Sequence, residues 1–590
     1  AAQDGFERAM KSKGREILES LGGDERLFVL VSRPYNGCDD GVNLQLPRKL
    51  AELGVEMIPM DMLDLSEAEL SDEYLHRSVY WKYGQKILRA AEVIKADPRL
   101  FAVYMSNFSC GPDSFILTFF KDIMGRKPCL QLELDEHSAD AGVITRLEAF
   151  LEGLKNYRRG SAEAESRGRK IITPPQVVEK QRTLYIPYMG DCAYGMAACF
   201  RSYGQPAEVM DVADESVMVR GRQFTTGKEC LPCAITMGEM LKVLDSKDGD
   251  AREKVAFFMP AASGPCRFGM YNCLQRLVLR YNGLDEVPVI APNQDSTFYN
   301  QLTRSVGNCT AGAFKKSAWL GVIVPDILHK VLLRVRPIAE DRAYAQQVYD
   351  RSIKRWVETV EKRPTVSQGV EVMEQIAADF ATVPLDRTAR KPRIGIVGEI
   401  YVRSHPFANM ELVKRLEKLG AICDLASLAE WIYYTNFTRQ NMARRRGQWR
   451  FYFGNMVVDF FQRRIEKQLA APLERHFGRL AELPVSHTIE AARPYLHHSF
   501  EGEAILTIGK TVEYHHEGFG GVVNAMPFTC MPSTVVAALS RKISADCGDM
   551  PILNLSFDGQ DDPTLPTRLE AFVEQVRQAS DARRPVHAAG

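Results

Sequence analysis

Long apolar runs are missing from this 590-residue chain. None approaches the ~18 apolar residues of a membrane-spanning helix, and the charged stretch Ala1 to Arg15 lacks the apolar region of a signal peptide. A cytoplasmic location is expected. Net charge is missing too: 75 basic side chains balance 75 acidic ones, which excludes a chain-wide footprint for nucleic acid or an anionic membrane. No phosphate-binding loop is present. IGKT at Ile508 to Thr511 has Ala504 where a Walker A motif needs Gly, and TTGKE has Glu229 where Ser or Thr belongs. The first residue is Ala, which suits a processed chain or one piece of a longer polypeptide.

What is present is an ordinary globular composition, with 25% charged and 45% hydrophobic residues and length for three or four domains. An internal repeat organises it. FVLVSRPYNGCDDGVNLQLPRKLAELG, Phe28 to Gly54, aligns without gaps to IGIVGEIYVRSHPFANMELVKRLEKLG, Ile394 to Gly420. Matches include Tyr35 with Tyr401, Asn43 with Asn409, and Gly54 with Gly420, where a helix wants a left-handed cap. NFSCGPDSFI around Cys110 matches PFTCMPSTVV around Cys530, and both precede the hexapeptide TRLEAF, at Thr145 and Thr567. Two homologous α/β domains are expected, residues 1–157 and 392–578, the second carrying a helical insertion over 429–494.

A third α/β unit, 181–336, is expected between them, from the strand-like Leu184 to Pro187 and Val255 to Pro260 and the helix-like Cys192 to Tyr203. Residues 337–391 read as a helical connector, and Arg158 to Lys180, with Pro174 and Pro175, as a linker.

Thirteen cysteines without a secretory signal make a disulfide framework improbable and turn attention to metal or redox chemistry. Cys110, Cys266 and Cys530 are expected in strand-to-helix loops, and Cys230 in TTGKECLP before another helix. There the helix dipole and free N–H groups favour a thiolate. Four thiolates complete a [4Fe–4S] site. Cys230 and Cys233 form a CxxC pair that also fits zinc or a dithiol centre, though the nearest second pair, Cys266 and Cys273, is widely spaced. Cys233 and Cys309 extend the candidate pool to six. Cys38, Cys129, Cys192, Cys199, Cys423 and Cys547 read as core or incidental.

The blocks NFSCGPDSF, LELDEHSADAGVITRLEAF, GKECLP, GPCRFG, GVVNAMPFTCMPST and FDGQDDPTLPTRLEAF resemble the large branch of the 2-hydroxyacyl-CoA dehydratase and benzoyl-CoA reductase superfamily, from about Arg26 to Val576. The resemblance implies flavodoxin-like domains holding an iron–sulfur cluster, [4Fe–4S] or double-cubane [8Fe–9S]. Its ligands by motif are Cys110, Cys230, Cys266 and Cys530, and Cys233 and Cys309 are the further candidates. It implies an ATP-hydrolysing iron–sulfur activator as electron donor and a small substrate, with CoA esters among the candidates, as acceptor. The reading is an iron–sulfur reductase or dehydratase-like component, the alternative a non-catalytic electron-transfer or cluster-carrying subunit. Homodimer formation stays open, and no catalytic residue is assigned.

Other constellations are weaker. Glu133, Asp135, Glu136 and His137 follow a strand, and since only Asp558 is shared in the second copy, a turn role competes with acid–base chemistry. His515 and His516 are expected after a strand and pointing to opposite faces. Arg439, Arg444, Arg445, Arg446 and Arg450 among Trp431, Tyr433, Tyr434, Trp449 and Tyr452 suit CoA phosphates, single-stranded nucleic acid or a partner's surface.

Overall fold

The computed structural model describes residues 2–157, 179, 181–292, 300, 302–303 and 310–582, apart from 24, 67, 69 and 387. Short β-branched and aromatic runs form the strands: β1 (Leu27–Val31), β2 (Met57–Pro59), β3 (Leu100–Asn107), β4 (Cys129–Leu134), β5 (Thr183–Ile186), β6 (Ala207–Val209), β7 (Val255–Phe258), β8 (Val289–Ile290), β9 (Arg393–Gly398), β10 (Ile422–Leu425), β11 (Gly521–Pro527) and β12 (Ile552–Phe557). They assemble into three four-stranded sheets, β2-β1-β3-β4, β6-β5-β7-β8 and β10-β9-β11-β12. Every pairing is parallel, so each sheet needs helical crossovers and the fold is α/β. The strand order is the same in all three.

The chain divides into two compact units, Ala1–Thr173 with the first sheet and Pro174–Gly590 with the other two. In the first unit Phe28, Phe101, Val103 and Leu132 make a sheet-face core closed by Leu147 and Leu154. In the second, helix Ala311–Val335 is buried along most of its length, and helices Arg342–Glu361, Val366–Ala381 and Trp449–Phe477 pack into the same core.

The repeat reaches into backbone detail. Leu44 and Gln45 have positive φ, as do their matches Met410 and Glu411. Buried Asn43 donates its side-chain N–H to the Gly37 carbonyl, and Asn409 donates to the Arg403 carbonyl at the matching place. Gly54 and Gly420 close the following helices with φ of 73° and 89°. Phe108 N–H donates to Leu134 O and Phe528 N–H to Phe557 O, pinning the loops that lead to Cys110 and Cys530.

Helix Leu231–Asp245, which begins at Cys230, crosses helix Glu215–Arg222 through a pair of glycines. A Cβ on Gly238 would lie 1.9 Å from Val217 O, and one on Gly221 would lie 1.9 Å from Ala234 O. Only hydrogen fits at these positions.

Candidate functional site

In a doubly wound sheet the crevice beyond the carboxyl ends of the strands receives ligands. Cys110, Cys266 and Cys530 all follow the third strand of their sheets in chain order, β3, β7 and β11, each of which pairs with the first strand. Cys110 and Cys530 are the N-caps of helices Gly111–Met124 and Met531–Asp546, each preceded by a left-handed residue, Ser109 (φ 57°) and Thr529 (φ 61°). Cys230 N-caps Leu231–Asp245. Cys266 caps no α-helix; it precedes a 3₁₀ turn, Phe268–Met270, and accepts a hydrogen bond from Phe268 N–H at 3.5 Å.

In the first unit, Arg33 from the loop after β1 donates to Cys110 Sγ and to Asp113 Oδ2, the latter at 2.8 Å. Tyr104 OH donates to the other Asp113 oxygen at 3.3 Å. Burial and the Asp113 carboxylate push the Cys110 thiol up to about 11, with Arg33 pulling the other way.

In the second unit one side chain ties three cysteine loops together. Arg267, next to Cys266, is 5% exposed. Its Nη1 donates to Lys228 O at 3.0 Å, two residues before Cys230, and its Nη2 donates to Thr529 O and Oγ1, both at 3.0 Å, one residue before Cys530. Tyr271 OH and Cys230 Sγ are hydrogen-bonded at 2.6 Å. Cys233 sits in the first turn after Cys230, its N–H donating to Cys230 O at 2.9 Å, and its side chain is buried. Arg267 lies within electrostatic reach of Cys230, Cys266 and Cys530, and of Cys233 from the latter's side.

The expected thiolates are not what the protein alone stabilises. Burial pushes the Cys530 thiol up to about 12, reinforced by the Glu503 and Glu399 carboxyls, and burial likewise raises Cys230, Cys233 and Cys266. Desolvation outweighs the helix N-terminus here. Among the described residues no group of three or more His, Cys, Asp or Glu is gathered tightly enough to hold a metal ion. The donor set still fits an iron–sulfur cluster in kind. It consists of soft thiols, in loops whose backbone N–H groups face sulfur, around a buried guanidinium that would balance anionic charge.

Sequence reasoning missed Arg267, because an arginine in a loop reads as a surface charge until its burial is known. It also missed a buried polar set behind the site. Glu239, on the Cys230 helix, has its Oε1 3.7 Å from His405 Nε2, with the two side chains 1% and 0% exposed. Tyr401 stacks on His405 at 5.0 Å and Tyr188 meets it edge-on at 5.5 Å. Burial raises the Glu239 carboxyl well above its usual range and lowers His405 to about 4, so at neutral pH this is an uncharged acid beside an uncharged imidazole rather than an ion pair. Ala408 N–H donates to His405 Nδ1. Because the folded pKa is depressed, the contribution of neutral His405 is complete above about 6.5 and is lost as pH falls toward 4. The expected loss is about 3 kcal/mol. Urea unfolding of wild type and His405→Gln across that window checks it: the stability of the wild type relative to the variant should fall by that amount between about pH 7 and 4, the raised Glu239 carboxyl acting with the opposite sign in both proteins.

A cavity of about 770 Å³ opens at the carboxyl ends of β5 and β10, its walls including Tyr188, Asp191, His329, Tyr349 and Arg403. The Asp191 carboxylate accepts from Tyr188 OH at 2.8 Å and from Tyr349 OH.

The comparisons with known proteins bear on one end of the chain. Residues 1–63 match the family model described as the CoA enzyme activase uncharacterised domain (DUF2229). That stretch covers helix Ala2–Ser20, β1, the Arg33 loop and β2. Over those residues alone, the match is a coarse association with the activase side of CoA-enzyme systems. No curated protein matches the chain.

The remaining candidates take simpler roles. Asp135 Oδ1 accepts from His137 N–H and Ser138 OH in an exposed turn, and Asp558 accepts from Gln560 N–H in the same way. His515 and His516 end helix Glu503–His516, not a strand, because Ile505, Ile508 and Val512 recur at helical spacing against a core that buries the helix on nearly all sides. IGKT lies inside that helix. Tyr433 and Tyr434 are core residues, whereas Trp449 is exposed. Cys309 and nearly all of the expected linker Arg158 to Lys180 lie outside the described residues. No helix among them is long and apolar enough to cross a membrane.

Proposed function

We propose that this chain is the iron–sulfur component of an ATP-dependent, low-potential electron-transfer system, taking electrons from an ATP-hydrolysing activator and passing them to a small substrate, a CoA ester being the class that the resemblance implies. The observation that carries this reading is the convergence of the Cys230, Cys266 and Cys530 loops on Arg267. On the second unit these cysteines would hold the cluster, with Cys233 beside them; the repeat gives Cys110 the same proposed role. The activase match at residues 1–63 supports a place in such a system.

A bound cluster would supply one-electron chemistry at a potential set by burial and by hydrogen bonds to sulfur. The chain's own residues do the rest. Arg267 fixes the three loops and offsets anionic charge, Tyr271 hydrogen-bonds Cys230, and Phe268 N–H faces Cys266. The cavity beside β5 and β10 offers a substrate the Asp191–tyrosine set and the basic Arg403 and Arg336.

Turnover of acyl-CoA or 2-hydroxyacyl-CoA candidates by anaerobically purified chain, with activator, ATP and reductant, tests the reading. Substrate-dependent electron consumption is the expected result. Reduction without turnover of any candidate would leave an electron carrier and remove the catalytic part.

A further inference from the structure

Eight of the eighteen large apolar side chains that stand exposed among the described residues fall within twenty positions, Met442 to Phe461. They lie on a helical hairpin, Leu428–Arg445 and Trp449–Phe477. At 3.6 residues per turn, Trp449, Phe453, Met456, Val457, Phe460 and Phe461 share one arc of about 140°. Gln462, Glu466 and Leu469, on the opposite side, are buried. A stripe of that width is the kind a helix turns toward a core, and here it faces solvent. With each aromatic covering about 150–250 Å² when buried, and each here about half covered already, the six residues of the arc still offer on the order of 500 Å² of apolar surface. That is more than half of one partner's share of a standard protein interface, about 800 Å².

The charge of the hairpin narrows what covers it. Between Glu430 and Asp459 there are five arginines and no acidic residue. Arg444, Arg446, Arg450 and Arg464 are exposed and make no ion pair among the described residues. A second copy of the same face would set arginine against arginine. Arg450 and Arg464 project from the same arc as the aromatics, whereas a helix that lies on a bilayer segregates its basic and apolar faces. Aromatic residues, Met and Arg interleaved on one surface, with acids depleted, is the composition of a protein-binding patch. We propose that the outer face of this hairpin docks a different protein, through an apolar surface on that partner rimmed with carboxylates. The cluster assignment plays no part in this inference.

The test begins with p-benzoylphenylalanine at position 453 in the full chain, expressed in its own host, and mass-spectrometric identification of the cross-linked peptide. The expected product joins Phe453 to one other protein at a segment bearing Asp or Glu. Binding of that purified protein is then expected to weaken at least tenfold with R450E/R464E and at least a hundredfold with F453D/F460D. Reversing the cross-linked carboxylates to Lys should restore the first variant. All these positions are exposed, so circular dichroism should show unchanged folding. Cross-links between two copies of the chain would overturn the proposal. So would binding to phosphatidylglycerol vesicles that F453D/F460D abolishes, the absence of any cross-link, or charge reversals without effect.

Discussion

Arg267→Leu is expected to release the three cysteine loops of the second unit. The substitution removes the donors to Lys228 O and Thr529 O, so two half-buried loops lose their shared guanidinium partner. A hydrogen bond from a charged donor contributes about 1.5–3 kcal/mol, so a destabilisation of about 2 kcal/mol is expected in urea unfolding. Local effects should exceed global ones. Cys230 and Cys530, each under a tenth exposed, should alkylate at least tenfold faster with iodoacetamide under native conditions. Arg267→Lys, which keeps one charge but not the forked donors, should fall between. Wild-type alkylation rates in Arg267→Leu would show that the loops converge without the guanidinium.

Gly238→Ala is expected to cost at least 2 kcal/mol and to disturb Cys230 as well. The added methyl carbon would meet Val217 O at 1.9 Å, a backbone atom that cannot swing aside, so one helix must move. Overpacking of this kind costs about 1–3 kcal/mol and sometimes more. The displaced helix begins at Cys230, so a shift at Gly238 is carried along a rigid element to the site. Gly153→Ala is the control: it lies in helix Asp140–Lys155 with nothing within 4 Å of its Cβ, and it should stabilise by about 0.5–1 kcal/mol. Thermal unfolding of the three proteins separates crowding from helix propensity.

The repeat was legible because it was written in residues whose roles are local. Asn43 and Asn409 fold their own loops, and Gly54 and Gly420 end their own helices, so matching letters meant matching backbone and in turn matching sheet order. The left-handed Ser109 and Thr529 carry no such signature. The tight strand-to-helix turn imposes their conformation, not their side chains. Arg267, Glu239 and His405 were illegible for a different reason. Their roles depend on burial among segments distant in sequence, and an isolated letter R, E or H says nothing about desolvation. Desolvation also decided the thiols: Cys530 at a helix N-terminus reads as a thiolate, yet the Glu503 and Glu399 carboxyls and a dry setting hold it protonated in the protein alone. The stretch before His515, expected as a strand, belongs to helix Glu503–His516, where buried polar residues such as Thr507, Lys510 and Glu513 interleave with Ile505, Ile508 and Val512 and blur the contrast between faces that marks helical period.

The most direct test of the account is iron and acid-labile sulfide per chain after anaerobic purification, in wild type, Cys230→Ala, Cys266→Ala, Cys530→Ala and Cys423→Ala. Cys423 lies in β10, buried among Leu412, Leu416 and Val523, and serves as the control. About four irons with matching sulfide are expected for wild type and Cys423→Ala, since a cubane takes four thiolate ligands. The other three variants should lose most of both. Equal iron in all five proteins, or none in the wild type, would contradict the assignment of these loops as a cluster site.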